Sequence, residues 1–194
     1  MQRYENFINL HPATNGNKES FCSLTFFIYF CNLIDIYFSD TMQYPKLNYP
    51  PIHLRARREE GGRTEVFDRV RGKWIVLTPE EWVRRHVVEY MLANCNLQPQ
   101  QIVEEYPVEI NGMAQRADIV TLDTSGKPHI IVECKEPNIK IDNEVLAQVV
   151  RYNSILNGHY VVITNGLATY CYAHNDGKYT PITHFPTHNN DTNK

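Results

Sequence analysis

From residue 64 onward the apolar residues fall into short blocks, and their spacing alternates between two periods. Val83, Val87, Tyr90 and Met91 recur at helical spacing. The runs "IVEEYPVEI", "QRADIVTLD", "HIIVECK" and "YVVIT" have the length and β-branched content of strands. Ahead of the helical stripe stands "TPEEW", in which Thr78 can cap, Pro79 suits the first helical position and Glu81 completes a capping box. A helix is therefore predicted over 79–94. Leu146, Val149, Val150 and Leu156 predict a second helix over 143–157, stopped by Gly158. Asn111-Gly112 marks a tight hairpin, and "TSGKP" is the turn into the third long strand. "LATYCYA" and a short "YTPIT" add further strands. Upstream, "TEVFDRVRGKWIVLT" reads as a hairpin turning at Arg71-Gly72, "LRARREEGGRT" as a mobile loop or turn and "MQYPKLNYPPI" as an extended stretch. The order helix, three strands, helix, strand, strand predicts an α/β fold, a mixed central sheet flanked by helices.

The first forty residues follow no such pattern. "FCSLTFFIYFCNLIDIYF" (21–38) approaches the length of a membrane span, but Asn32 and Asp35 are costly in lipid. The segment before it has no clear positive region, and no small-residue cleavage site follows. Residues 1–41 read as upstream sequence translated in frame before a true start at Met42, as a membrane-associated segment, or as a native extension. Residues 42–186 are expected to form one domain and 187–194 a disordered tail.

At 194 residues, 42% hydrophobic and 21% charged, the chain can bury a core. A formal net charge of −3 excludes an overall basic coat. The stretch "HLRARR" with Arg63, Arg69, Arg71, Lys73, Arg84 and Arg85 reads either as phosphate contacts or as a solvated face diluted by Glu59, Glu60, Glu65 and Asp68. Five cysteines without a CxxC argue against a disulfide framework or a zinc site and point to a reducing cytoplasm. The eight histidines show no metal-ligand spacing.

Chemistry concentrates at the strand ends. Glu133 and Lys135 are two apart in a strand, so they project from one face. Asp118 lies on the preceding strand, joined by a short turn, and is expected close to Glu133. Two carboxylates beside an ammonium suit a hard divalent cation such as Mg²⁺. Lys135 could then orient or deprotonate a water, or stabilise charge developing on a phosphate. Ordinary charges on a surface strand pair fit the spacing equally well. Gln148 and Tyr152, four apart, share a helix face that could meet this site, and Glu89 offers a further acid to the same cleft.

The order Glu89, Asp118, Glu133-x-Lys135, Gln148-x3-Tyr152 resembles the PD-(D/E)xK nuclease superfamily. Within it the chain is similar to the branch holding the N-terminal nuclease domain of type I restriction enzyme R subunits, which shares the "RAD-hydrophobic" strand, the "hydrophobic-E-C-K" strand and the "QxxxY" helix. The resemblance spans about residues 45–185 and implies a restriction-endonuclease-like αβββαβ core. It implies Asp118 and Glu133 as Mg²⁺ ligands, with Mn²⁺ as a substitute, and Lys135 as the catalytic lysine. Glu89 would be an auxiliary metal-binding acid, and Gln148 with Tyr152 would orient the site or the DNA backbone. Ala117 stands where the superfamily's name has proline. The implied activity is Mg²⁺-dependent DNA cleavage in restriction or DNA processing. No motor segment follows in this chain, so a motor or specificity subunit is expected on another. The second class is a catalytically silent nucleic-acid-binding or partner-docking module of the same fold.

Overall fold

The computed structural model describes residues 44–59 and 61–188. They belong to the second of two units, 1–33 and 34–194. The expectations for residues 1–41 therefore lie outside the described residues. Among the described residues no helix is long and apolar enough to cross a membrane.

Helix α1 (Pro79–Asn94) starts where its sequence signals stand: Thr78 Oγ1 accepts the Glu81 N–H at 3.1 Å. The Glu81 carboxylate itself is engaged by Arg71, Arg84 and Arg85. Helix α2 (Asn143–Leu156) is capped by Asp142 Oδ1, which accepts from Glu144 N–H at 2.9 Å and Val145 N–H at 3.2 Å. Its last turn ends on Asn157 in the left-handed region, φ 52°, and not on Gly158. Gly158 is small for another reason, because a Cβ there would lie 2.0 Å from Ile131 Cδ1.

The main sheet has six strands, β4 (Ile102–Ile110), β5 (Met113–Leu122), β6 (Pro128–Cys134), β7 (Tyr160–Thr164), β8 (Thr169–Asn175) and β9 (Lys178–Ile182), in sequence order. Only β6 and β7 are parallel, because α2 forms the crossover between them. The sheet is mixed and its core order is αβββαβ.

A separate three-stranded antiparallel sheet precedes α1: β1 (Ala56–Arg58), β2 (Thr64–Asp68) and β3 (Lys73–Val76). Strand β1 corrects the loop reading of "LRARREEGGRT". Its charged Arg57 and Arg58 face outward while Ala56 is buried, which hides the strand from a hydrophobicity count.

Apolar side chains pack on both faces of β6. Ile130, Val132 and Cys134 join Val83, Val87 and Met91 of α1, whereas Ile131 joins Val145, Val149 and Tyr152 of α2. Strand alternation puts Glu133 on the same side as Ile131, toward α2. Each fully buried Val or Ile contributes roughly 1.5–3 kcal/mol, so β6 is a rigid mount for what stands at its end. At the other chain terminus, the His188 N–H donates to the Cys95 carbonyl at 3.1 Å, so the start of the expected tail is tied to the core.

Candidate active site

The β5–β6 ladder pairs Val120 with Ile131 and Ile119 with Val132. One rung further on, Asp118 faces Glu133. Here the Asp118 side chain replaces a ladder bond, with Oδ2 accepting the Cys134 N–H at 2.6 Å. Its other oxygen, Oδ1, accepts from Arg84 Nη2 at 2.7 Å. Glu133 Oε1 accepts from Lys135 Nζ at 2.7 Å and from Gln148 Nε2 at 2.6 Å. Glu133 Oε2 is buried without a hydrogen-bond partner among the described residues. Lys135 Nζ also donates to Gln148 Oε1 at 3.1 Å, and Gln148 Nε2 donates to the Tyr152 hydroxyl at 3.0 Å. The backbone of Lys135 is held in turn, its N–H donating to the Thr164 carbonyl at 2.8 Å.

Asp118, Glu133, Lys135, Gln148 and Tyr152 thus form one connected group. Glu89 does not belong to it. Its carboxylate pairs with Arg69 Nη2 at 2.7 Å, and the charges that act on it are Arg69, Arg85 and Asp68. The acid that α1 brings to the site is Glu80, which feels Asp118 and Lys135. Glu80 and Glu89 are separated by nine residues, about 13 Å along the axis and half a turn around it, so one helix cannot present both to one cleft. Arg84 and Glu105 also border the site; the sequence pattern offers Arg84 only as part of a phosphate-contacting or solvated basic face and does not mark Glu105. The signal for Arg84 is its i, i+4 spacing from Glu80.

The model of the family described as the type I restriction enzyme R protein N terminus matches residues 79–186, more than half of the chain. The chain belongs to that family. The matched region contains Asp118, Glu133, Lys135, Gln148 and Tyr152. Among solved structures similar to this chain is a fragment described as an HsdR subunit of a type I restriction enzyme from Vibrio vulnificus. The likeness has 22% identity and a TM-score of 0.44, covering 57% of this chain and 24% of that one. This chain therefore spans about a quarter of that one's length. No curated protein matches the chain.

Within this family member the electrostatics of the site are those of crowded acids. Burial and the adjacent Asp118 push Glu133 up to about 7. Burial raises Asp118 as well, against the pull of Arg84 and the Cys134 N–H. Glu80 is raised by burial and by Asp118. For Lys135, burial alone would lower the ammonium's pKa, but the Glu133 contact and the charges of Asp118 and Glu80 outweigh it, and the net shift is upward. Lys135 is therefore a proton-holding ammonium here, which disfavours the expectation that it takes a proton from water. Cys134 faces the opposite core and burial pushes its thiol well up, so it is a packing residue.

Hard oxygen donors that resist ionisation together, with Glu133 Oε2 lacking a partner, fit a divalent cation such as Mg²⁺. Asp118 and Glu133 would hold it. Another acidic group, Asp68, Glu81 and Glu104, brings ligand atoms within 4.8 Å of one another, close enough for one cation. Guanidinium groups already fill that position. Arg85 lies 3.0 Å from Asp68 and 2.7 Å from Glu81, it also meets Glu104, and Arg71 closes on Asp68 and Glu81. Arg84 and Arg85 are only 5% and 3% exposed, so neither is a surface phosphate contact.

Proposed function

We propose that the chain is a Mg²⁺-dependent DNA endonuclease of the type I R-subunit N-terminal kind, with Mn²⁺ able to substitute. The observation that carries the reading is the unpartnered Glu133 Oε2, set beside Asp118 and two residues from Lys135, whose ammonium meets the other Glu133 oxygen. Asp118 and Glu133 bind the cation, which supplies Lewis-acid polarisation of the scissile phosphate when bound. Lys135 holds a positive charge on a rigid strand end and stabilises negative charge that develops on the phosphoryl oxygens. Gln148 bridges Glu133 and Lys135 and fixes both orientations, while Tyr152 fixes Gln148. In this reading residues 42–186 are the nuclease domain, it works in the cytoplasm, and a motor or specificity subunit on another chain chooses the DNA.

The test is incubation of the full chain with plasmid, linear and single-stranded DNA, with and without Mg²⁺, alongside Asp118→Ala. Mg²⁺-dependent cleavage that Asp118→Ala removes is the expected result. DNA binding with no cleavage under any of these conditions would instead mark a silent binding module.

A further inference from the structure

Arg84 joins the candidate site to the buried ion network. Its Nη2 donates to Asp118 Oδ1 at 2.7 Å and to Glu80 Oε1 at 3.1 Å, and its Nη1 donates to Glu81 Oε2 at 2.9 Å and to Glu105 Oε1 at 2.6 Å. Every hydrogen on its Nη atoms is therefore aimed at a carboxylate. The side chain is 6% exposed, and its surrounding acids keep the guanidinium charged.

Glu105 supplies an independent observation. It lies inside β4 yet has φ 55°, the left-handed region that L side chains rarely adopt. The ladder pairs Glu104 with Ile119 and Tyr106 with Ala117, so Glu105 stands level with Asp118 but contributes no rung of its own. Its carboxylate is on Arg84, with Arg116 3.4 Å from the other oxygen. A strained residue level with the key acid, bonded to the same guanidinium, is the kind of local outlier that accompanies function.

We propose that Arg84 is a positioning residue that acts through Asp118 as a built-in counter-ion. In the metal-free protein its guanidinium carries the positive charge that a divalent cation brings, and it holds Asp118 in place. When Asp118 engages the cation, Arg84 keeps its bonds to Glu81 and Glu105, and Glu105 is the acid that draws it aside. The inference rests on the divalent-cation reading of the site.

The experiment is calorimetric titration of the full chain with Mn²⁺, with turnover at saturating metal as a second readout. Arg84→Gln removes a repelling charge and the restraint on Asp118, so Mn²⁺ is expected to bind about tenfold tighter while turnover falls about tenfold. Arg84→Lys keeps the charge and is expected to return the affinity to within about threefold of wild type. Glu105→Gln leaves Arg84 leaning on Asp118, so Mn²⁺ affinity falls several-fold, and this fall disappears in the Arg84→Gln/Glu105→Gln double variant.

Unchanged affinity in Arg84→Gln with only a lower melting temperature would show a structural ion pair and overturn the proposal. Persistence of the Glu105 effect in the double variant would make Glu105 a direct cation ligand, which also overturns it. Should Arg84→Gln fail to fold, unchanged Mn²⁺ affinity in Glu105→Gln is enough to reject the mechanism. Wild-type protein without Asp118-dependent Mn²⁺ binding would sink the functional reading together with this one. Asp118-dependent binding that ignores Arg84 and Glu105 would sink this one alone.

Discussion

Lys135 Nζ and Glu133 Oε1 are 2.7 Å apart at the C-terminal end of β6, and the other Glu133 oxygen is buried and unpaired. Lys135 and Gln148 both meet the same carboxylate oxygen, and the second oxygen is met by neither. Lys135→Ala is expected to reduce Mg²⁺-dependent DNA cleavage by at least about a hundredfold while metal affinity stays within a few-fold. Asp118→Ala should lose both cleavage and metal binding, since it deletes a ligand oxygen. Gln148→Ala and Tyr152→Phe should lower turnover by only about tenfold each, because both act through Glu133 and Lys135. Parallel cleavage assays and metal titrations of these variants check the order; equal cleavage by Lys135→Ala and wild type would place the activity elsewhere.

The acid cluster has a pH signature in the metal-free protein. Glu133 titrates near 7 when folded, against an ordinary 4.5. As pH rises between those values the unfolded chain releases its proton first, the native state holds more protons, and stability falls. The loss attributable to this group is on the order of 3 kcal/mol, complete above about pH 7. Asp118 and Glu80 are shifted in the same direction. Melting curves from pH 4.5 to 8 without metal should show Glu133→Gln gaining on wild type as pH rises. Excess Mg²⁺ should erase the difference by binding the ionised form.

The Asp68, Glu81, Glu104 group should behave as a structural network and not as a metal centre. Asp68→Asn strips a buried partner from Arg85 and Arg71. Its expected effect is a stability loss of about 3 kcal/mol or more with no change in Mn²⁺ affinity. Denaturant unfolding and titration of the same preparation decide it; a loss of affinity would move the metal to this position.

Gly166 and Gly112 both have positive φ, 83° and 74°, but only Gly166 is crowded. A Cβ on Gly166 would meet Leu47 Cδ2 at 2.7 Å, whereas a Cβ on Gly112 meets nothing within 4 Å. Gly166→Ala should cost about 2–3 kcal/mol and Gly112→Ala about 1 kcal/mol, the difference being the displaced Leu47. Thermal melts of the pair provide the comparison.

Much of this architecture is legible in the sequence because local and global signals agree there. Thr78 and Pro79 start α1 where the cap chemistry places it, and the Ile130–Val132 run marks a buried strand whose alternation pairs Glu133 with Lys135. Asp118 was reachable because a short turn fixes the β5–β6 register. The sequence order offers Glu89, whereas the structure pairs Glu89 with Arg69 and sets Glu80 beside Asp118 and Lys135, because the acid that faces the site depends on how α1 lies across the sheet, which periodicity does not encode. Arg84 and Arg85 look like an exposed basic pair for the same reason: beyond Glu80 and Glu81 on the same helix, the carboxylates that receive them come from β2, β4 and β5, distant in sequence. Strand β1 and the left-handed Glu105 are set by tertiary pairing with no local sequence cue.

The small sheet and the irregular segment ahead of it pack on the family-matched region from outside its boundary. The family match begins at Pro79, yet Asp68 and Arg71 complete the charge balance around Glu81 and Arg85. Trp82 donates to the Pro45 carbonyl, the Tyr44 hydroxyl donates to the Leu77 carbonyl, and Asn48 bonds the backbone of Gly166 and Leu167. A protein trimmed to residues 79–186 would keep every proposed site residue and still expose the apolar flank of α1, take Asp68 from Arg85 and take Arg71 from Glu81 and Glu104. The folded unit accordingly extends at least as far upstream as Tyr44 and Pro45, about thirty-five residues before the family match starts, because their bonds to Leu77 and Trp82 hold the flank of α1.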